Sequence, residues 1–345
     1  MKTNIFGQTK DGKNVTEYII ENKNGMSISV LDFGAILHKI NVPSASKGVA
    51  DVALTCPDME VYSVNDTYLG STIAPNANRI GNAKLTIDGV TYNMEVNDGP
   101  NNLHTAFDAG MNKILWDAKA GDNCVELTAK LADGDYGLPG NRVLTVTYTL
   151  TDDNEIKIDY TGTSDKNTII NMTNHTYFNL KGHGEGDILD HELWLNCSAF
   201  TMPGEGGIPT GEITPVAGTP LDFTTMKPVR KDNDITNPIM ALVNGYDHNY
   251  CIDGWDGTLR KVAEVKEPES GRGMEVYSDL PGIQFYSGNY VNNNAGKEGK
   301  TYQKNYGLCL ETQYYPDHIN HADFPQAVFG PGKDCKTTTI YKFTF

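Results

Sequence analysis

Long apolar runs, paired cysteines, basic clusters and helical periodicity are all scarce in this sequence, and each shortage closes off a class of function. No stretch approaches the roughly 18 apolar residues a membrane helix needs. Met1–Gly7 leads into polar sequence rather than into a signal-peptide apolar core. The six cysteines (Cys56, Cys124, Cys197, Cys251, Cys309, Cys335) stand singly, without C-x-x-C spacing. That argues against a disulfide framework or a zinc site and for reduced thiols in a cytoplasm. Basic residues number 28 against 44 acidic ones, a net charge of -16. Such a surface repels phosphodiester backbones and anionic lipid, so neither nucleic acid nor membrane is expected as a partner. A neutral small molecule fits best.

What the chain does contain is period-two alternation broken by turns. Cys124–Leu131 and Arg142–Leu150 alternate, and the second pairs across Thr151–Asn154 with Glu155–Tyr160. Lys84–Ile87, Asp88-Gly89 and Val90–Tyr92 read as a hairpin with a two-residue loop. Ser27–Leu31, Gly34–Val42, His191–Asn196, Met274–Ser278 and Lys336–Phe345 are further strands. Helical period is confined to Ile235–Val243, where Pro238 limits it to a turn or two. No linker, charge run or fixed-period repeat divides the chain. The reading is all-β with little helix: one large β-sandwich domain over residues 1–345, its site in a cleft lined by strands and loops.

Polar residues in otherwise apolar or turn-rich settings mark the candidates. His175 lies in Met172–Leu180, at the end of a strand-like run and with Tyr177 and Phe178 just behind it. An imidazole so placed suits proton transfer. Glu311 ends the apolar run Leu308-Cys309-Leu310, where an unpaired carboxylate is costly. It therefore either has a partner or serves as a base tuned by its surroundings. Asn78-Arg79, His104 after Asn101-Asn102-Leu103, Asp247 before His248, and Gln284 inside an apolar-aromatic strand complete the set. Taken singly, each also has an ordinary reading as a cap, turn or ion-pair residue. Gly182-x-Gly184-x-Gly186 lacks the following helix that a phosphate cradle requires. Asp317, His318 and His321 sit in no helix or hairpin that would make a metal site.

In combination, order and spacing, these segments resemble the aldose 1-epimerase (galactose mutarotase) family over nearly the whole chain. The motifs are Asn78-Arg79-Ile80, Asn102-Leu103-His104, Asn174–Leu180, Asp247-His248, Gln284 and Leu310-Glu311-Thr312-Gln313. The resemblance implies a large antiparallel β-sandwich of the galactose mutarotase type with a sugar cleft, and an enzyme that interconverts the α and β anomers of aldohexoses. It implies no metal and no cofactor, a small-molecule aldose as partner, and a monomer or homodimer. Glu311 then resembles the base that takes the C1 hydroxyl proton, and His175 the acid that protonates the ring oxygen. His104 resembles a second histidine beside that oxygen. Asn78, Arg79, Tyr177, Asp247 and Gln284 resemble the groups that hold the substrate. The expectation is that Glu311 and His175 face each other across a gap wide enough for one pyranose. Tyr136 departs from the family pattern in a loop ending Gly137-Leu138-Pro139-Gly140 and is expected to affect which sugar fits. The alternatives are a hexose-6-phosphate epimerase, which needs more basic residues, a non-catalytic carbohydrate-binding β-sandwich, and a glycosidase pairing Asp247 with Glu311.

Overall fold

The strands that alternate most clearly in sequence are those with one wet face. Arg142–Leu150 and Cys124–Leu131 bury every second residue, and they sit side by side in a nine-stranded sheet. The computed structural model describes residues 1–345. From one edge, that sheet runs Asp117–Ala120, Cys124–Leu131, Arg142–Leu150, Glu155–Ser164, Cys335–Thr344, Gly273–Ser278, Arg260–Lys266, Glu192–Leu195 and Lys227–Pro228. The C-terminal strand thus lies mid-sheet, between Glu155–Ser164 and Gly273–Ser278. The Asp88-Gly89 hairpin forms as read, with both turn residues at positive φ, as a two-residue loop of this kind requires.

A five-stranded sheet carries the chemistry: Pro209–Pro215, Ala199–Pro203, Asp247–Cys251, Gly282–Tyr286 and Cys309–Gln313. It packs on the long sheet through the C-terminal strand, where Tyr341 donates to the Leu310 carbonyl at 2.9 Å and Thr312 meets Thr339 at 2.5 Å. A second five-stranded sheet is built from Lys2–Gln8, Asn14–Glu21, Ser27–Leu31, Ile36–Val42 and Ala50–Asp51. The ladders between these strands are antiparallel. A core of 55 buried residues runs between the layers, with Val146, Ile158, Phe178, Phe285 and Leu310 among them. The all-β sandwich reading is borne out.

Two local expectations change. Glu311, which ends an apolar run in sequence, is at the centre of the strand Cys309–Gln313, and Asp247, in a polar stretch before His248, opens the strand Asp247–Cys251. In both, backbone pairing with Gly282–Tyr286 overrides the polar, turn-like local composition. Gly282–Tyr286 and Cys309–Gln313 are buried at every position, one face on the core and the other on the site. That is why they show no wet-face alternation. The Ile235–Val243 segment contributes one short helix, Pro238–Ala241, opened by Pro238 and capped by Asn237.

Candidate active site

Register brings the site together. Asn249 pairs with Gln284, and Gln284 with Glu311. One pleat away on the same face, Asp247 pairs with Tyr286, and Tyr286 with Cys309. The opposite wall comes from loops. His175 follows Thr173–Asn174, which is held against Thr72–Ile73. Asn78 and His104 both have positive φ and clamp each other: the His104 N–H donates to the Asn78 carbonyl at 3.1 Å, and the Asn78 N–H donates to His104 Nδ1 at 3.1 Å.

Between these walls is a cavity of about 120 Å³. That is below the roughly 300–1,000 Å³ of drug-sized ligand sites and suits one small molecule. Asn78, Arg79, His104, His175, Tyr177, Asp247, Gln284 and Glu311 all line it. Tyr68, Tyr286 and Tyr290 line it too and were missed in sequence. Tyr286 could have been found as the second residue beyond Gln284 on the same strand face, whereas Tyr68 lies in a loop at positive φ with no local signal. Tyr136 does not line the cavity; its hydroxyl donates to the Ala109 carbonyl at 3.0 Å. A larger cavity of about 780 Å³ beside Lys10, Glu60 and Lys113 contains none of these groups.

His175 Nε2 and Glu311 Oε1 are 3.8 Å apart, with both side chains almost wholly withdrawn from bulk water. Burial pushes the Glu311 carboxyl well above the usual range, the Asp247 charge adds to this, and Arg79 opposes it. Burial lowers His175 to about 4. The empty site thus favours a protonated glutamic acid beside a neutral imidazole, a pair holding one movable proton. Glu311 Oε2 has no hydrogen-bond partner within the protein. The rings of Tyr68 and Tyr177 lie near-parallel to His175, at 6.0 and 5.0 Å between centroids, and fix its plane.

The remaining polar groups are already oriented. Gln284 Nε2 donates to Asp247 Oδ1 at 2.7 Å. Arg79 Nε donates to Asp98 Oδ2 at 2.9 Å, and its Nη1 is 3.9 Å from Asp247 Oδ2. Burial works against the Arg79 charge, but Asp247 and Asp98 outweigh it. Asp98 is therefore the anchor of this arginine.

His104, His175 and Glu311 each bring a ligand-type atom within 4.8 Å of the others, as a metal site would. Because His104 Nδ1 accepts the Asn78 N–H, a neutral His104 carries its proton on Nε2. That nitrogen is a donor with no lone pair to offer a metal. Elsewhere, His318 is buried and His321 Nε2 lies 3.3 Å from Asp317 Oδ2.

The family model described as Aldose 1-epimerase matches residues 16–342. Galactose mutarotase from Mus musculus is 36% identical over 342 residues, 99% of this chain and 97% of that protein. Aldose 1-epimerase from Escherichia coli (strain K12) is 34% identical over 336 residues, 96% of each. The solved structure of galactose 1-epimerase from Lactobacillus acidophilus NCFM superposes with a TM-score of 0.85 at 27% identity, covering 100% of this chain and 99% of that one. The family match spans every strand that borders the cavity, and the chain belongs to the aldose 1-epimerase family.

Proposed function

We propose that this chain, folded as one domain over residues 1–345, interconverts the α and β anomers of aldohexoses such as glucose and galactose by opening and closing the sugar ring. The observation that carries the assignment of roles is the 3.8 Å approach of His175 Nε2 to Glu311 Oε1 in a cavity otherwise lined by hydroxyl-pairing groups. This spacing is tighter than the pyranose-wide gap expected from sequence, and the chemistry accounts for it. The C1 hydroxyl oxygen and the ring oxygen share one carbon, so the groups that serve them must converge to within a few ångströms. The sugar then lies over the pair, not between its members.

In this reading, Glu311 takes the C1 hydroxyl proton while His175 Nε2 gives a proton to the ring oxygen. The C1–ring-oxygen bond breaks and an aldehyde forms. Rotation about C1–C2 presents the other face, and the two protons return along the same paths. Each such transfer typically contributes about 10²–10⁴-fold. Bound sugar hydroxyls supply the hydrogen bonds that the orphaned Glu311 oxygen lacks in the empty site, which favours the charged pair that opens the ring. His104 Nε2–H donates to the ring oxygen and holds it. Arg79, Asp247, Gln284 and Asn78 hold the other hydroxyls, and Tyr177 packs on His175, so the open chain stays in place.

Arg79 is the sole lysine or arginine lining the cavity and is already bound to Asp98, which disfavours a hexose phosphate. No helix is long and apolar enough to cross a membrane. All six cysteines are free, as a reducing cytoplasm would keep them. Every site group comes from one chain, so a monomer or a homodimer would be competent. Polarimetry of freshly dissolved α-D-glucose and α-D-galactose tests the assignment: added protein speeds the approach to the equilibrium rotation. An unchanged rate with several aldoses at high protein concentration would leave a sugar-binding module instead.

A further inference from the structure

Glu311 is not the only side chain of its strand that touches His175. Cys309, two residues earlier and therefore on the same face, places Sγ 3.5 Å from His175 Nδ1. The two ring nitrogens are thus bracketed by one strand, with the thiol at Nδ1 and the carboxyl at Nε2. Ring orientation is not left to these contacts, because Tyr68 and Tyr177 hold the plane and Tyr286 meets it edge-on at 6.2 Å. What remains open is where the neutral imidazole keeps its proton. In most proton-transferring histidines a carboxylate or carbonyl decides this and also raises the pKa. Here the side-chain neighbour is a fully buried cysteine, and a bond to the backbone of His175 itself raises the pKa by less than burial lowers it.

We propose that Cys309 is a positioning residue: its neutral sulfur accepts the Nδ1–H of His175, leaving Nε2, which faces Glu311, as the nitrogen that carries the moving proton. This rests on the mutarotase reading given above. During ring opening Nε2–H passes to the ring oxygen and Nδ1–H stays. On closure Nε2 recovers its proton from that oxygen, so the imidazole ends as it began. A thiolate would bind the imidazolium and blunt its acidity. Burial holds Cys309 in the thiol form, with the nearby Glu311 and Asp247 charges adding to the effect. A neutral, weakly accepting partner keeps His175 a strong acid toward an ether-like oxygen. The other titratable groups around the ring, His104, Tyr68, Tyr177 and Tyr286, leave Nδ1 to Cys309.

The test uses the full chain labelled with ¹⁵N-histidine, the His175 signals being assigned by their loss in His175→Asn. At neutral pH the wild type should show the Nδ1–H tautomer. Cys309→Ala should shift it toward a mixture with Nε2–H, and Cys309→Ser, which restores an acceptor, should return it. By polarimetry, Cys309→Ala should lower kcat about tenfold with KM unchanged, the lower end of what outer partners of functional histidines cost. Cys309→Ser should stay within about threefold of wild type, on the same outer-partner scale. An Nε2–H tautomer in the wild type, or a tautomer that ignores Cys309→Ala, overturns the proposal. If the wild type turned over no aldose, the functional reading would fall, while the tautomer measurement would still judge the contact on its own.

Discussion

Two glutamates in this chain are withdrawn from water to nearly the same degree, Glu267 at 1% exposed and Glu311 at 2%, yet their surroundings are opposite. Glu267 accepts the Glu269 N–H at 3.0 Å and the Ser270 N–H at 2.6 Å. Burial opposes its charge, but the bonds from Ser270 and Glu269 outweigh burial, and its pKa is lowered. Glu311 receives no hydrogen bond from the protein, and its pKa is raised. Buried charge elsewhere is likewise supplied with partners, though burial still lowers the Lys297 pKa. Lys297 Nζ donates to Asp51 Oδ2 at 2.5 Å and to the His38 carbonyl at 2.9 Å, while Asp51 Oδ1 accepts from the N–H groups of Ile40 and Ala53. A buried ion whose partners are all supplied is structural. One left short of partners at a cavity wall waits for a ligand to complete it.

The largest expected effect concerns both regions at once, because burial in each disfavours a charged imidazole. Burial lowers His175, His248 and His318 to about 4 and His191 to about 3, and holds His38 and His104 well below their usual value. In the unfolded chain these groups titrate near 6.5. Between pH 6.5 and about 4 the unfolded state therefore binds more protons, and stability falls as pH falls. Glu311, Asp32, Asp247 and Asp279 act in the opposite sense, since a raised folded pKa contributes stability fully present below the unfolded value, but these carboxyls are fewer than the histidines. Calorimetry should show the unfolding temperature dropping steeply below pH 6.5; a flat profile down to pH 4 would break the picture of neutral buried histidines.

Next in size, Glu311→Gln should cut kcat by about 10²–10⁴-fold while sugar still binds and the unfolding temperature does not fall. His175→Asn should cost a similar factor. Near-normal turnover in either variant would remove its assigned role.

Lys297→Met sharpens the contrast from the structural side. It strands Asp51, and urea unfolding should register a loss of about 3 kcal/mol, as for a buried ion pair deprived of one member. Catalysis per folded molecule should be unchanged. The smallest effect is that of Glu267→Ala, which frees the buried Ser270 N–H and the part-buried Glu269 N–H and should cost about 1–3 kcal/mol of stability, again without change in kcat. A substantial fall in kcat for either variant would mean that complete pairing does not mark a structural charge.

The one-faced strands of the long sheet were readable because water on one side imposes alternation, as in Arg142–Leu150. The two strands that build the site were harder. Gly282–Tyr286 and Cys309–Gln313 are covered on both faces, so Gln284 and Glu311 stood out only as polar residues in apolar company. All eight residues singled out in sequence line the cavity, owing largely to motif order shared with a family; Tyr68 and Asp98 had no such signal.

By itself the sequence determined the class: period-two patterning, the near absence of helix, an acidic surface and the residue types for proton exchange. Those properties are local or compositional, and the chain carries them wherever it folds. The tertiary structure alone decided the protonation chemistry. Strand register puts Glu311 and Cys309 on the two nitrogens of a histidine more than a hundred positions away. Burial without partners then moves their proton affinities, because desolvation depends on what surrounds a group in space and not on its neighbours along the chain.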